Sequence, residues 1–252
     1  MTGIRGFFAA AGGVAVLTWR TFVAMFRPPI EIFPVIYQLD HAGIRSWSIT
    51  ALTALFTGMV LALQFATGLE KYGGSMYTGK LASLGIVREL GPTLTALLVG
   101  GRVGSGFAAE LGSMVVNEQV DAIRSIGADP IKKLVVPRVV ACIIALPLLT
   151  MLADVVGCFG AMLITMREVG VSAKFFLGQI TDTLGMVDLL HGLGKSVFFG
   201  YFIGIIGCFV GLNTTGGTEG VGISTTRAVV LISITLLISN YVLSTIFVAV
   251  YG

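Results

Sequence analysis

Long apolar runs alternate with short polar connections along this chain, and five of the runs are long enough to cross a lipid bilayer. A membrane-crossing helix needs about 20 mainly apolar residues. In chain order, the five predicted crossings are residues 46–66, 90–114, 139–166, 196–212 and 228–250. The pattern therefore predicts an all-α integral membrane protein, organised as a single domain over residues 1–252.

A further apolar segment, residues 1–29, precedes the first crossing and carries a basic stripe. At about 100° per helical residue, Arg5, Arg20 and Arg27 lie within about 60° of one another. The segment has the outline of a secretory signal peptide, but its apolar run continues to Trp19, directly before Arg20. We therefore expect a retained helix that lies in the membrane interface and is ended by Pro28–Pro29.

Composition excludes a soluble domain. The 252 residues are 55% hydrophobic and 12% charged, whereas a soluble domain carries about 25% charged residues. The small net charge of +3 gives no sign of nucleic-acid binding. The three cysteines, Cys142, Cys158 and Cys208, lie in apolar runs without metal-ligand spacing, so we interpret them as small apolar fillers.

Lysine and arginine positions favour one orientation, because these residues accumulate on the cytoplasmic side of membrane proteins. We place the N-terminus and the connection after the second crossing in the cytoplasm. Nine basic residues then lie inside: Arg5, Arg20, Arg27, Arg45, Arg124, Lys132, Lys133, Arg138 and Arg227. Six lie outside: Lys71, Lys80, Arg88, Arg167, Lys174 and Lys195. The outer loop from Arg167 to Lys195 contains "FFLGQITDTLGMVDLL", which predicts a half-submerged helix.

Four polar residues at or near membrane depth are candidates for lining a substrate cavity: Arg102, Glu110, Asp154 and Asn240. Charge at that depth is costly and usually faces a cavity or a partner. Arg102 and Glu110 are about 12 Å apart along a helix, too far for a direct ion pair. Two interpretations of Arg102 remain open. Either Asp154 or backbone carbonyls neutralise it, or it meets an anionic lipid headgroup.

Small residues recur every three or four positions in the second and fourth crossings. Such stripes let neighbouring helix backbones approach closely. They predict tight packing within the subunit, with a seam between subunits as the alternative. The predicted helix-packing positions are Gly100, Gly104, Ala108, Gly112, Gly200, Gly204, Gly207 and Gly211.

The connection "NEQVDAIRSIGADPIKK" (Asn117–Lys133) predicts a short polar helix between two crossings. Asn117 is a suitable cap, Gly127 a suitable stop, and Asp129–Pro130 a suitable start for the next helix. Val120, Ile123 and Ile126 recur every three residues and form a narrow apolar edge. A plain amphipathic connector fits this pattern, but the mixed charge and apolar edge favour a helix that docks on a soluble partner.

Signatures of catalysis are missing from the sequence. His41 and His191 are the only histidines, and neither an HExxH nor a GxSxG motif occurs. "GGTEGVGISTTR" resembles a phosphate-binding loop, but Ile223 stands at the lysine position. "GRVGSG" lies inside a predicted crossing, where a dinucleotide site is not expected. We therefore expect a chain that is not an enzyme and binds no metal or cofactor.

The chain resembles the MlaE-type permeases, the membrane subunits of ABC transporters that work with MCE-domain proteins. The resemblance covers about residues 44–245. It rests on "FTGMVLALQ", "RELGPTLTALLVGGRVGSGFAAELGSM", "EQVDAIRSIGADP", "VVPRVVA" and "GVGISTTRAVV". In one departure, Asn240–Tyr241 stands where the family usually has an acidic residue before an aromatic one, so a role assigned to that acid does not carry over.

The resemblance implies a homodimer of five-span subunits in the bacterial inner membrane, each with an N-terminal interfacial helix. It implies that phospholipid or another hydrophobic molecule passes between this membrane and a periplasmic MCE protein. A cytoplasmic ATPase subunit, which holds the ATP and magnesium, would seat the short helix as its coupling helix. The implied coupling residues are Glu118, Gln119, Asp121, Ala122, Arg124, Gly127, Asp129 and Pro130.

Two other functions compete with this one. A proton-coupled secondary transporter would use Arg102, Glu110 and Asp154 as a proton relay and would need no partner. A membrane anchor that transports nothing would hold a periplasmic protein in place.

Overall fold

The computed structural model describes residues 4–27 and 32–251, with side chains over 12–27 and 32–250. The described residues are 90% helical and contain no strand. The expected stop at Pro28–Pro29 lies outside the described residues, as does the side chain of Arg5. The α-helices, in chain order, are α1 Ile4–Met25, α2 Ile32–Ala42, α3 Trp47–Glu70, α4 Thr78–Gly85, α5 Gly91–Val99, α6 Ser105–Val116, α7 Gln119–Ser125, α8 Val136–Glu168, α9 Ala173–Thr183, α10 Met186–Leu212 and α11 Gly217–Tyr251.

Five helical runs of the described chain are long and apolar enough to cross a membrane, which confirms the predicted fold class. They are Ile32–Glu70, Ser75–Val116, Ile131–Glu168, Met186–Leu212 and Gly217–Val250. Each predicted crossing lies within one of these runs. Because the crossings alternate in direction, the polar helix α7 lies at one end of the bundle and α9 lies at the other. We refer to these as the α7 end and the α9 end.

The fourth crossing begins at Met186 rather than at Ser196, which shortens the expected outer loop. Helix α9 takes up only part of the predicted half-submerged helix, and "MVDLL" belongs to α10. The side chain of Asp188 accepts the backbone N–H of Gly185 at 2.8 Å and so stabilises the first turn of α10. Lys195 is not in an outer loop but is buried within α10.

Three π-helical turns, in which the backbone hydrogen bonds span five residues, interrupt the crossing helices. They lie at Ile86–Leu90, Gly100–Gly104 and Ile131–Val135. Each one changes the rotational phase of the residues that follow, and such turns are frequent at functional sites. Each also carries charged residues, namely Arg88 and Glu89, Arg102, and Lys132 and Lys133.

Glycines allow the crossing helices to pack backbone against backbone. A Cβ added at Gly58 of α3 would overlap the carbonyl of Gly157 on α8. On α10, a Cβ at Gly200 would overlap the carbonyl of Cys142 on α8, and Gly207 lies against Gly104. These contacts hold α8 and α10 at the centre of the bundle.

The predicted small-residue stripes pack within the subunit. The Cβ position of Gly211 faces Ala108 and Leu111, and that of Gly112 faces Thr214. Gly100 and Gly104 both face Ile232 on α11. All eight predicted packing positions therefore meet other residues of the same chain, as the interpretation of packing within the subunit predicts.

Helix α1 lies against α10 and the π-helical turn Ile131–Val135. The hydroxyls of Thr18 and Tyr201 are hydrogen-bonded, and the ring of Phe209 covers Gly13. The opposite face of α1 exposes Trp19 among other large apolar residues, as expected for a helix bounded by protein on one side and lipid on the other.

We predict that Gly58→Ala destabilises the subunit by about 1–3 kcal/mol, because the added Cβ meets the backbone of α8. Gly68→Ala is the matched control, since Gly68 lies in the same helix with nothing within 4 Å of its Cβ position. Thermal unfolding in detergent should show a lower midpoint for Gly58→Ala and an unchanged or higher midpoint for Gly68→Ala. Equal midpoints for the two variants would contradict the packing account.

Candidate functional site

The residue that precedes the polar helix α7 has a left-handed backbone conformation. Glu118 has a φ of 57°, the only positive φ at a non-glycine residue in the described chain. Its carbonyl accepts the N–H of Ala122 at 2.9 Å. The expected role of Asn117 is wrong, because its N–H bonds to Ser113 and it ends α6 instead of capping α7. The chain therefore turns sharply into α7 at Asn117–Glu118.

The end of α7 is formed by the residues expected from the sequence, Gly127 and Asp129. Gly127 has a φ of 79°, which favours glycine, and its N–H bonds to the carbonyl of Arg124 at 2.9 Å. The carboxylate of Asp129 accepts the N–H of Ile131 at 2.9 Å and caps the next helical run, which begins after Pro130. Both ends of α7 are thus set by local backbone geometry.

The predicted apolar edge of α7 is divided between the subunit and the outside. Val120 is buried, and Ile123 packs against the core of the bundle. Ile126 is 80% exposed. On the polar surface, Asp121 and Arg124 form an exposed ion pair at 2.8 Å. Val120 and Ile123 therefore fix α7 to its own subunit, and only Ile126 faces outward.

An ion pair joins the two helices on either side of α7. Nη2 of Arg138 on α8 lies 2.7 Å from Oε1 of Glu110 on α6. The side chain of Arg138 is 5% exposed and that of Glu110 is 51% exposed. The Glu110 carboxylate is thus engaged at the α7 end, and its expected place in a substrate cavity stays a prediction.

Arg102 is exposed and bonds to Ser46 rather than to Asp154. Its Nη1 donates to the Ser46 hydroxyl at 2.6 Å, and that hydroxyl donates to the carbonyl of Ala42 at 2.8 Å. Ser46 directly precedes α3, so the guanidinium lies level with the first turn of that crossing. The interpretation in which Asp154 neutralises Arg102 is therefore wrong.

A polar cluster lies at the α9 end, centred on the buried side chain of Lys195. The Lys195 ammonium donates to Oε1 of Glu89 and to the hydroxyl of Ser244, both at 2.7 Å. The Ser244 hydroxyl donates to the same Glu89 oxygen at 2.9 Å. Asn240 donates to the other oxygen, Oε2, at 3.2 Å. One carboxylate thus connects the second, fourth and fifth crossings.

A second ion pair adjoins this cluster. Arg88 contacts the carboxylate of Asp188, which is buried in the first turn of α10. The backbone carbonyl of Arg88 accepts from the Lys195 ammonium at 3.2 Å. Nearby, the ring of His191 stacks on Phe247, with 4.0 Å between centroids.

The sequence alone did not indicate this cluster. Glu89 and Lys195 each directly precede a predicted crossing, at residues 90 and 196, and the sequence predicts Lys195 at the end of the outer loop. The available signal was that both charges directly adjoin apolar runs that continue on either side of them. Because the helices begin earlier, at Ser75 and Met186, Lys195 is buried within α10 and Glu89 is half-buried within the second crossing.

Asp154 lies apart from the other three predicted cavity residues. It is buried, and its Oδ1 has no hydrogen-bond partner among the described residues. A Cβ at Gly91 would overlap this oxygen. Gly91 also lines a narrow crevice between α3, α5 and α8, together with Thr50, Thr53, Thr57, Leu90, Leu94 and Leu98. Of the four candidates, only Asn240 belongs to a cluster that joins several crossings.

Comparison with known proteins shows which family this chain belongs to. The sequence model of the permease MlaE family matches residues 35–246, which is most of the chain. The chain belongs to the MlaE permease family. The exposed helix α7 lies within the matched region, as do the ion pair beneath it and the cluster around Lys195.

Several relatives agree with this membership. A probable ABC transporter permease of Rickettsia felis is 38% identical over 96% of this chain and 93% of its own length. A probable ABC transporter permease of Synechocystis is 42% identical over 90% of this chain and 87% of its own length. The chloroplastic protein trigalactosyldiacylglycerol 1 of Arabidopsis thaliana is 37% identical over 93% of this chain and 67% of its own length.

The chain is therefore a multi-pass membrane protein and the permease subunit of an ABC transporter. Membership of that class implies a separate ATPase subunit.

We predict that Lys195→Met destabilises the permease by about 2–3 kcal/mol, because it leaves the Glu89 carboxylate without its cationic partner. Adding Glu89→Gln should restore part of the loss. Arg45→Met is the control, since Arg45 pairs with Asp40 at an exposed site, and it should cost less than about 1 kcal/mol. Denaturant unfolding in detergent measures all three variants. Similar losses for Lys195→Met and Arg45→Met would contradict a stabilising role of the buried Lys195 ammonium.

Proposed function

We propose that two copies of this permease move phospholipid or another hydrophobic molecule between the bacterial inner membrane and a periplasmic MCE-domain protein. A cytoplasmic ABC ATPase supplies the energy and holds the ATP and magnesium. The α7 end faces the cytoplasm, and the α9 end faces the periplasm. Helix α7 is the coupling helix.

The way α7 is held is the observation that carries this proposal. An isolated helix of seven residues is unstable in water, since helices shorter than about 12 residues are marginal. Here α7 is fixed by its two turns and by buried Val120, while Asp121, Arg124 and Ile126 remain exposed. A connector without a partner would need neither a rigid hold nor an exposed isoleucine at its tip. The arrangement suits a groove on a soluble subunit.

Every proposed coupling residue lies on this segment. Gln119, Asp121, Ala122 and Arg124 are exposed on α7, and Glu118 and Asp129 flank it with exposed side chains. Gly127 and Pro130 act through the backbone, because they fix the direction in which the chain leaves α7.

A lipid substrate is supported by the crevice between α3, α5 and α8, which lies near the middle of the bundle and is lined by threonine and leucine side chains. The cluster around Lys195 adds polar groups beside it, because Leu90 of the crevice directly follows Glu89. An apolar chain with a polar head fits such a surface. The name of the Arabidopsis relative is that of a galactolipid, which supports the same class of substrate. Exposed Arg102, one helical turn after Leu98 of the crevice, is placed to contact an anionic headgroup.

A homodimer is supported by the exposure of α11. In the single subunit, the apolar window of this helix is 11% buried, whereas that of α10 is 61% buried. The uncovered residues of α11 include Val230, Ile234, Leu237 and Tyr241. A second copy that covers α11 would enclose a substrate path between the two subunits.

The proton-relay alternative receives no support from the geometry. Glu110 bonds to Arg138, Arg102 bonds to Ser46, and Asp154 lies against Gly91. No hydrogen bond joins any two of the three relay residues in the described part of the chain. A passive membrane anchor, the other alternative, gives no role to an exposed and rigidly held α7.

We predict that Asp121→Lys and Arg124→Glu each lower the amount of ATPase that co-purifies with the permease by about tenfold, because each reverses a charge at the docking surface. The permease itself should remain folded and dimeric, since both side chains are exposed. Arg167→Glu is the matched control, an exposed arginine at the α9 end. Undiminished ATPase in both α7 variants would remove the docking proposal.

A further inference from the structure

Glu110 and Arg138 close a loop whose only α-helix is α7. Glu110 lies in α6, which enters the loop, and Arg138 lies in the first turn of α8, which leaves it. Their ion pair at 2.7 Å joins the two crossings directly beneath α7. If α7 is pushed, the force therefore acts on two crossings that are linked by this ion pair, and not on two independent helices.

Arg138 makes three kinds of contact that fix its position. Besides the ion pair, its Nη1 donates to the carbonyl of Leu134 at 2.6 Å. Its guanidinium carbon lies 5.7 Å from the centroid of the Phe107 ring on α6. Leu134 belongs to the π-helical turn that follows α7, and Phe107 lies one turn before Glu110. One side chain thus holds α6, the π-helical turn and α8 together.

Stability alone does not account for a buried arginine at this position. An ion pair with a buried member is often no more stabilising than apolar residues of the same volume, because the buried charge loses its hydration, as Arg138 does here. The site bears a further cost, since Nε of Arg138 has no hydrogen-bond partner among the described residues. What an ion pair supplies and an apolar contact lacks is a directional link of fixed length.

We propose that Glu110 and Arg138 are positioning residues that make α6 and α8 move as one unit when an ATPase displaces α7. The proposal rests on the proposed function, in which an ATPase docks at α7. From this unit, movement has two routes into the bundle. Helix α6 meets α10 at Ala108 and Gly211, and α8 meets α3 at Gly157 and Gly58. Without the pair, α7 still binds the ATPase but displaces the two crossings unequally.

The test uses the complete complex of permease and ATPase in lipid nanodiscs, with Glu110→Gln as the main variant. Glu110 is half exposed, so this change preserves shape and removes only the charge. Glu168→Gln is the matched control, because Glu168 is a half-exposed glutamate that pairs with Arg167 at the α9 end. A fluorescent label on Tyr72→Cys, at the exposed far end of α3, reports movement in a Cys158→Ala background.

Four quantities are measured: ATPase bound per permease, ATP hydrolysis, the response of the label to ATP, and phospholipid transferred to acceptor vesicles per ATP. For Glu110→Gln, the first two should stay at the wild-type level. The label response and the transfer per ATP should each fall about fivefold or more. Glu168→Gln should change none of the four. Arg138→Gln should match Glu110→Gln, and the double variant should be no worse than either one.

The results separate this proposal from the proposed function. Unchanged label response and transfer in Glu110→Gln would overturn the positioning role, as would loss of bound ATPase, which indicates a structural role. If the wild-type complex responds to ATP but transfers no phospholipid, the lipid substrate is wrong and the label still decides the role of the pair. If the wild-type permease binds no ATPase, the docking proposal and the positioning role fall together.

Discussion

Direct contact between helix backbones at α8 and α10 is the constraint on which the rest of the structure depends. Within a bilayer, apolar side chains gain little by leaving the lipid for one another, so crossing helices are held together by close packing and by internal polar contacts. Gly58, Gly157, Gly200 and Gly207 provide that packing here. With α8 and α10 fixed at the centre, charges pair between neighbouring crossings. Glu110 of α6 reaches Arg138 of α8, and Glu89 of the second crossing reaches Lys195 of α10.

Those charges lie at two levels, one at each end of the bundle. At the α9 end, Glu89 and Lys195 join three crossings. At the α7 end, Glu110 and Arg138 join the two crossings beside the proposed coupling helix. Each level adjoins a π-helical turn that changes the phase of the helix. The permease therefore combines close packing in its middle with directional polar links at its ends, as expected of a membrane subunit that transmits movement.

Much of this architecture could be predicted from the sequence. The lengths of the apolar runs predicted the five crossings, and the spacing of small residues predicted which helix faces pack together. Gly127 and Asp129 set the exit from α7 as expected, because positive φ and helix capping are local properties. The pairs Glu89–Lys195 and Glu110–Arg138 could not be predicted, since each depends on helix phase across a π-helical turn. The sequence spacing also could not predict that Val120 is buried while Ile126 is exposed, because that difference depends on tertiary packing.

Accessibility of Ile126 to a membrane-impermeant thiol reagent tests the central claim most directly. Ile126→Cys, in a Cys158→Ala background, is labelled in sealed vesicles of known orientation, with Val120→Cys as a buried control. The account predicts reaction only from the cytoplasmic side and protection when the ATPase is bound. Reaction from the opposite side would contradict it, because no cytoplasmic ATPase could then reach α7.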